Sequence, residues 1–173
     1  MMLSWNELMR ITNSMVPGEE SMPKKRFQIA ARVLFLIYAA VLIYFLFFAD
    51  WYGHAPGRAV RSAPNLIPFR EIQRYLRRGY IIGSRLVFLN LIGNVIGFMP
   101  FGFILPLVSN RFRKWYMVLL CGFLLTLLVE SVQLITGIGI FDVDDMILNT
   151  MGALLGYLVY LPAARIGRSI YGK

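Results

Sequence analysis

The sequence predicts an all-α membrane protein, a four-transmembrane-helix bundle with short interfacial amphipathic helices. Apolar residues make up 58% of its 173 positions, and the mean hydropathy is +0.62. Several apolar runs approach the roughly 20 residues that a helix needs to cross a bilayer, which a soluble domain of this size rarely carries. The remaining polar residues also fall in stripes. Asn90, Gly93, Asn94 and Gly97 form one stripe, and Thr126, Glu130, Gln133 and Gly137 a second. Asp142, Asp145, Asn149, Gly152 and Gly156 form a third. At about 100° per residue each set occupies a single helix face. A helix surrounded by lipid has no reason to gather amides, carboxylates and glycines on one side. A helix that packs that side against partners does.

Taken in order, residues 1–32 read as a cytoplasmic segment. Trp5, Leu8, Met9, Thr12 and Met15 recur at helical spacing, and Ser4 with Glu7 matches a capping box. This pattern suits a short helix lying on the membrane surface. Pro17-Gly18 ends it, and Lys24-Lys25-Arg26 precedes the first apolar run. That run, residues 33–51, has no small-x-small cleavage site and reads as a retained anchor with Trp51 and Tyr52 at the interface. The second span is expected over 86–108, with a kink around Gly97 to Gly102 caused by Pro100. The third and fourth are expected over 115–135 and 146–161. The transmembrane domain thus covers 33–162, and residues 163–173 form a basic cytoplasmic tail.

The chain carries 18 Lys and Arg against 9 acids, for a net charge of +9. In a soluble protein this balance points to nucleic acid. Here the basic residues sit in loops and tails, so membrane lipids are the expected partner and nucleic acid is not. Eleven basic residues lie on the side of the two termini, and seven lie in the first loop. The short connections place both termini in the cytoplasm, although the first loop counts against this. Cys121 and His54 are the single Cys and the single His, so an intrachain disulfide and a Cys/His metal set are excluded.

With the termini inside, Asn90 and Asn94 lie roughly 6–12 Å below the outer surface at 1.5 Å per residue. Gln133 and Glu130 reach similar depth, with Asn149 just below Asp145. A carboxylate in mid-span costs about 2.5–3.5 kcal/mol or more, so Glu130 should face the bundle. Asn90, Asn94, Gln133 and Asn149 are its expected donors, and Arg85 or another first-loop arginine its counter-charge. Together Asn90, Asn94, Glu130, Gln133, Asp142, Asp145 and Asn149 make a candidate polar binding pocket opening outward. The same residues also read as polar glue between helices, and small-xxx-small pairs (Gly93/Gly97 and Gly152/Gly156) allow close backbone approach.

Above the pocket, NLIPFREIQRYLRRGY places Phe69, Ile72, Leu76 and Tyr80 near one face of a basic amphipathic helix. Arg70, Arg74, Arg77 and Arg85 are candidate headgroup or phosphate contacts, or partners of the acidic loop. Asp142 and Asp145 are oxygen ligands that suit Mg²⁺ or Ca²⁺. The DVDD run is a weak metal signal, because a one-residue offset turns Asp144 away from its neighbours on a helix. No nucleophile–base pair with recognisable spacing and no phosphate-cradling glycine loop is present, and no catalytic residue is assigned. A metal-dependent membrane enzyme acting on a phospholipid or polyprenyl phosphate is therefore an alternative. A small transporter or a subunit of a larger complex is another.

The blocks NLIPFREIQRYL, NLIGNVIGFMPFGFILP, ESVQ and FDVDDMILNTMGALLGY together resemble the VanZ-like family of bacterial membrane proteins over residues 33–162. The family's recurrent positions fall on Asn65, Pro68, Phe69, Asn90, Asn94, Phe98, Pro100 and Gly102. They continue on Glu130, Gln133, Asp142, Asp145, Asn149, Gly152 and Gly156. Where the family often carries a basic residue before the acidic run, this chain has Gly139 and Ile140. The resemblance implies a bacterial plasma-membrane location and a role at the cell envelope. The family's founding member is associated with resistance to teicoplanin, so a lipid-linked cell-wall precursor or a lipoglycopeptide is an implied partner. It implies no resident cofactor and no agreed catalytic residue.

Overall fold

The computed structural model describes residues 22–48, 63–83 and 87–171. Among them five α-helices follow in order: α1 Met22–Phe47, α2 Arg70–Ile82, α3 Asn94–Val108, α4 Trp115–Thr136 and α5 Val143–Tyr171. A π-helical turn, Leu89–Gly93, leads into α3, and a 3-10 turn, Asn110–Arg113, joins α3 to α4. Strand-like pairing among the described residues is confined to one parallel bridge between Asn65 and Asp142. Among the described residues, four helical stretches are long and apolar enough to cross a membrane: Arg26–Phe47, Asn90–Val108, Trp115–Thr136 and Val143–Gly167. The protein is an all-α, multi-pass membrane bundle.

The tightest pairing, α3 against α5, follows from glycine placement. A Cβ built on Gly102 falls 1.7 Å from the Ala153 carbonyl oxygen, and one on Gly156 falls 1.9 Å from that of Met99. At Gly152 the distance to the Val95 oxygen is 2.3 Å. No side chain fits at any of the three, so the two backbones are in direct contact. Gly93 and Gly97 behave differently from the expected small-residue pair. Nothing lies within 4 Å of a Cβ built at either, and Gly97 instead offers its carbonyl oxygen to the Tyr38 hydroxyl of α1 at 2.8 Å.

Apolar and polar cores occupy opposite ends of the bundle. Phe101, Leu105, Val118, Ala153, Tyr157 and Tyr160 form the buried apolar cluster, toward the 3-10 turn. Phe35 of α1 reaches this cluster through Phe101, with ring centroids 5.8 Å apart. Most of α1 otherwise faces outward, as Leu36 and Ile37 do at more than half exposure. In lipid such a surface is satisfied by acyl chains and needs no protein partner.

Three expectations are corrected here. The first helix begins at Met22, well before residue 33. Pro100 and Pro106 both sit inside continuous α3, and the irregular turn lies upstream at Leu89–Gly93. Prolines are tolerated in spanning helices because neighbouring groups satisfy the carbonyls they free. The last helix begins at Val143 rather than 146, because Asp142 caps it, and it runs to Tyr171, past the expected end of the span. Of the apolar stripe on α2, Leu76 is 72% exposed and Phe69 is exposed as well, while Ile72 is half-buried. The 1–16 helix, Trp51, Tyr52 and Arg85 lie outside the described residues.

Candidate functional site

The site is the polar end of the bundle, where α2, the turn before it and the start of α5 meet. Asp142 begins the arrangement. Its Oδ1 accepts from the Asp144 backbone N–H at 2.8 Å, the bond of an N-cap. The same oxygen accepts from Asn65 Nδ2 at 2.8 Å. Asn65 N–H donates to the Phe141 carbonyl, and the Val143 N–H donates back to the Asn65 carbonyl. Three acids in or beside the first turn of α5 complement the positive end of that helix.

Asp144 is the residue that the sequence reading turned away from the site. It is 1% exposed, and its carboxylate reaches across to cap α2. Oδ1 accepts the Phe69 N–H. Oδ2 accepts the Glu71 and Ile72 N–H groups at 2.7 and 3.2 Å. Phe69 itself sits at φ 66°, ψ 6°, in the left-handed region. For a bulky non-glycine residue that conformation costs roughly 1–2 kcal/mol. Its N–H bond to Asp144 is among the contacts that hold it there.

Glu130, 3% exposed, accepts the Asp142 N–H on Oε2 at 2.9 Å. Three of the four expected amide donors have other partners. Asn94 Nδ2 donates to Asp145 Oδ1 at 2.6 Å, and Asn149 Nδ2 donates to Thr126 Oγ1 at 2.9 Å. Gln133 Nε2 donates to the Leu46 carbonyl at 3.1 Å, tying α4 to α1. Asn90 lies on the π-helical turn, half-buried. Asn149 Oδ1 and Thr150 Oγ1 are buried with no partner among the described residues. Asn94, Asn149 and Gln133 thus reach a carboxylate, a hydroxyl and a backbone carbonyl on three different elements.

Among the described residues no arginine forms an ion pair with Glu130, Asp142, Asp144 or Asp145, and Arg85, the first expected counter-charge, lies outside them. Among the described residues one ion pair forms, Arg74 to Glu71 at 2.9 Å, within α2 itself. Arg70, Arg77 and Arg78 are exposed. The acidic loop grips the backbone of α2 rather than its guanidinium groups. Burial raises the Glu71 carboxyl above its ordinary value, and Arg74 opposes that shift. Asp142 is also raised by burial, against the hydrogen bonds from Asn65 and the Asp144 N–H.

A metal centre would require three or more acidic, His or Cys groups around one point, and none is found among the described residues. Asp142 and Asp145, the candidate ligands, each have an oxygen engaged by an amide. The residue reading left two contributors out of the site: Asp144, and Asn65, which entered only as a recurrent family position. Asn65 carries a weak signal, since an Asn side chain often bonds the backbone two residues on, as its Oδ1 accepts the Ile67 N–H at 3.3 Å. Asp144 carries none, because its partners are backbone groups more than 70 residues away.

A family model described as VanZ/LLP1 matches residues 35–165, most of the chain and the whole of the site. Neither a curated protein nor a solved structure matches it.

Proposed function

The chain belongs to the VanZ/LLP1 family, and from that premise we propose a non-catalytic protein of the bacterial plasma membrane. It binds a phosphate-bearing lipid headgroup, or a lipid-anchored glycopeptide, at the outer leaflet. By occupying or masking that headgroup it lowers sensitivity to teicoplanin-type lipoglycopeptides. The observation that carries this reading is the division of labour in α2. Its backbone N-terminus is fixed on Asp144, while Arg70, Arg77 and Arg78 remain exposed, as do Phe69 and Leu76. Exposed guanidinium groups on a helix anchored at its N-terminus suit bidentate phosphate recognition. The count of basic residues supports an orientation with the termini cytoplasmic and α2 outside.

The test compares wild type with the double variant Arg77→Gln/Arg78→Gln at equal membrane abundance. The expected result is loss of a retained headgroup lipid in native mass spectrometry and loss of protection against a lipoglycopeptide in expressing cells. Identical lipid retention together with unchanged sensitivity overturns the reading.

A further inference from the structure

Helices α4 and α5 run antiparallel across the short 137–142 connection, and their facing polar residues are spaced alike. Thr126 and Glu130 stand one turn apart on α4, and Asn149 and Asp145 one turn apart on α5. Asn149 Nδ2 donates to Thr126 Oγ1 at 2.9 Å. That bond sets the register and leaves Glu130 and Asp145 facing each other one turn nearer α2. The charges that act on Asp145 agree: Glu130 comes first, followed by Asp142, Asp144 and Glu71, and all are acids. From α2 the charged and titratable groups facing this set are Glu71, Arg74 and Tyr75, with Arg74 paired to Glu71 at 2.9 Å. The α3 neighbour is the neutral amide of Asn94. Two like charges sharing one site oppose the ionisation of both.

Hydrogen bonding distinguishes the two carboxyls. Glu130 Oε2 accepts the Asp142 N–H at 2.9 Å, a contact that suits a carboxylate. Asp145 stands between a donor and an acceptor. Its Oδ1 accepts from Asn94 Nδ2 at 2.6 Å, and one turn along α5 the Asn149 Oδ1 is buried with no partner among the described residues. Helical side chains lean toward the N-terminus of their own helix, which carries Asn149, only 2% exposed, toward Asp145. A protonated carboxyl offers one accepting oxygen and one O–H, whereas a carboxylate only accepts. We propose that Glu130 and Asp145 form a proton-binding pair, in which Asp145 Oδ2 carries the proton and donates it to Asn149 Oδ1 while Glu130 stays charged. The ligand is a proton held on the carboxyl itself, so no cavity is needed. Its departure sets two carboxylates face to face and orphans the Asn149 oxygen. The proposal does not rest on the lipid reading of α2.

The test is infrared spectroscopy of the full chain in phosphatidylcholine vesicles, reading the carbonyl stretch of a protonated carboxylic acid. At neutral pH wild type is expected to show this band. Isotopic labelling of the aspartate carboxyls shifts it, and labelling of the glutamate carboxyls does not. Asp145→Asn abolishes the band. Glu130→Gln keeps it but loses it at a lower pH than wild type, because the facing negative charge is gone. Asp145→Asn also keeps the unfolding midpoint within about 1 °C of wild type at neutral pH, since the amide accepts from Asn94 and donates to Asn149 as the protonated acid does. No band in wild type, a band that follows the glutamate label, or a midpoint several degrees lower in Asp145→Asn overturns the proposal. A band that appears only when sodium is withdrawn assigns the site to a cation and overturns it as well.

Discussion

Replacing Asp144 by Asn tests how α2 is held on the bundle. The native carboxylate accepts three backbone N–H groups, those of Phe69, Glu71 and Ile72. Hydrogen bonds to a charged group contribute roughly 1.5–3 kcal/mol each, against about 1 for neutral pairs. An amide of the same shape keeps one accepting oxygen and turns its NH₂ toward a backbone donor. It therefore loses at least one bond outright and weakens the rest. The expected loss in docking free energy is about 3–4 kcal/mol, or two to three decades in an opening equilibrium. The four spans share the α3–α5 contact and the aromatic cluster, so they are expected to stay assembled. Hydrogen exchange by mass spectrometry reads this directly, because peptides covering 66–76 should lose 100- to 1000-fold of their protection while α3 and α5 peptides keep theirs. Unchanged protection over 66–76, in protein that still inserts, would refute the capping argument.

Two further outcomes follow from the geometry. Gly156→Ala places a methyl on the Met99 carbonyl oxygen and is expected to lower the unfolding midpoint by several degrees, at an overpacking cost of about 1–3 kcal/mol or more. Gly97→Ala, facing open space, is expected to leave the midpoint within about 1 °C, and equal effects on thermal melts would refute the contact assignment. Asp142→Asn keeps the acceptor that Asn65 and the Asp144 N–H use, and removes a charge that burial disfavours. Because burial raises the folded-state pKa above the ordinary Asp value of about 3.9, this group's contribution is full below the ordinary value and lost as pH rises through the raised one. Melting from acidic to neutral pH should accordingly show a smaller fall in stability for Asp142→Asn than for wild type. A larger fall in the variant would contradict the sign.

Much of the bundle was legible because membrane helices announce themselves by length and apolar content alone. The glycines at 152 and 156 were legible for the same reason, since a helix face dictates what it packs. Which glycines actually touch another backbone was not. Gly93 and Gly97 share the spacing of the pair at 152 and 156, yet they meet no backbone, because closeness depends on where the partner helix runs. The polar stripes were found as faces, but their bonds were not. A helical period places Asn94, Glu130 and Asn149 at similar depth without saying that Asn94 selects Asp145 and Asn149 selects Thr126. Asp144 was discounted because a helical wheel considers only the residue's own helix. Its role lies in backbone groups of a segment that periodicity cannot connect to it.

The bridge between Asn65 and Asp142, and the grip of Asp144 on residues 69–72, join parts of the chain separated by 72–77 positions. Synthesis proceeds from the N-terminus, so the α2 segment leaves the ribosome long before its anchors exist. Contacts of such long range close late. Helix α2 therefore cannot assume its docked position until the start of α5 has been made. A chain truncated before residue 142 would carry every arginine of α2 and no means of fixing them in place.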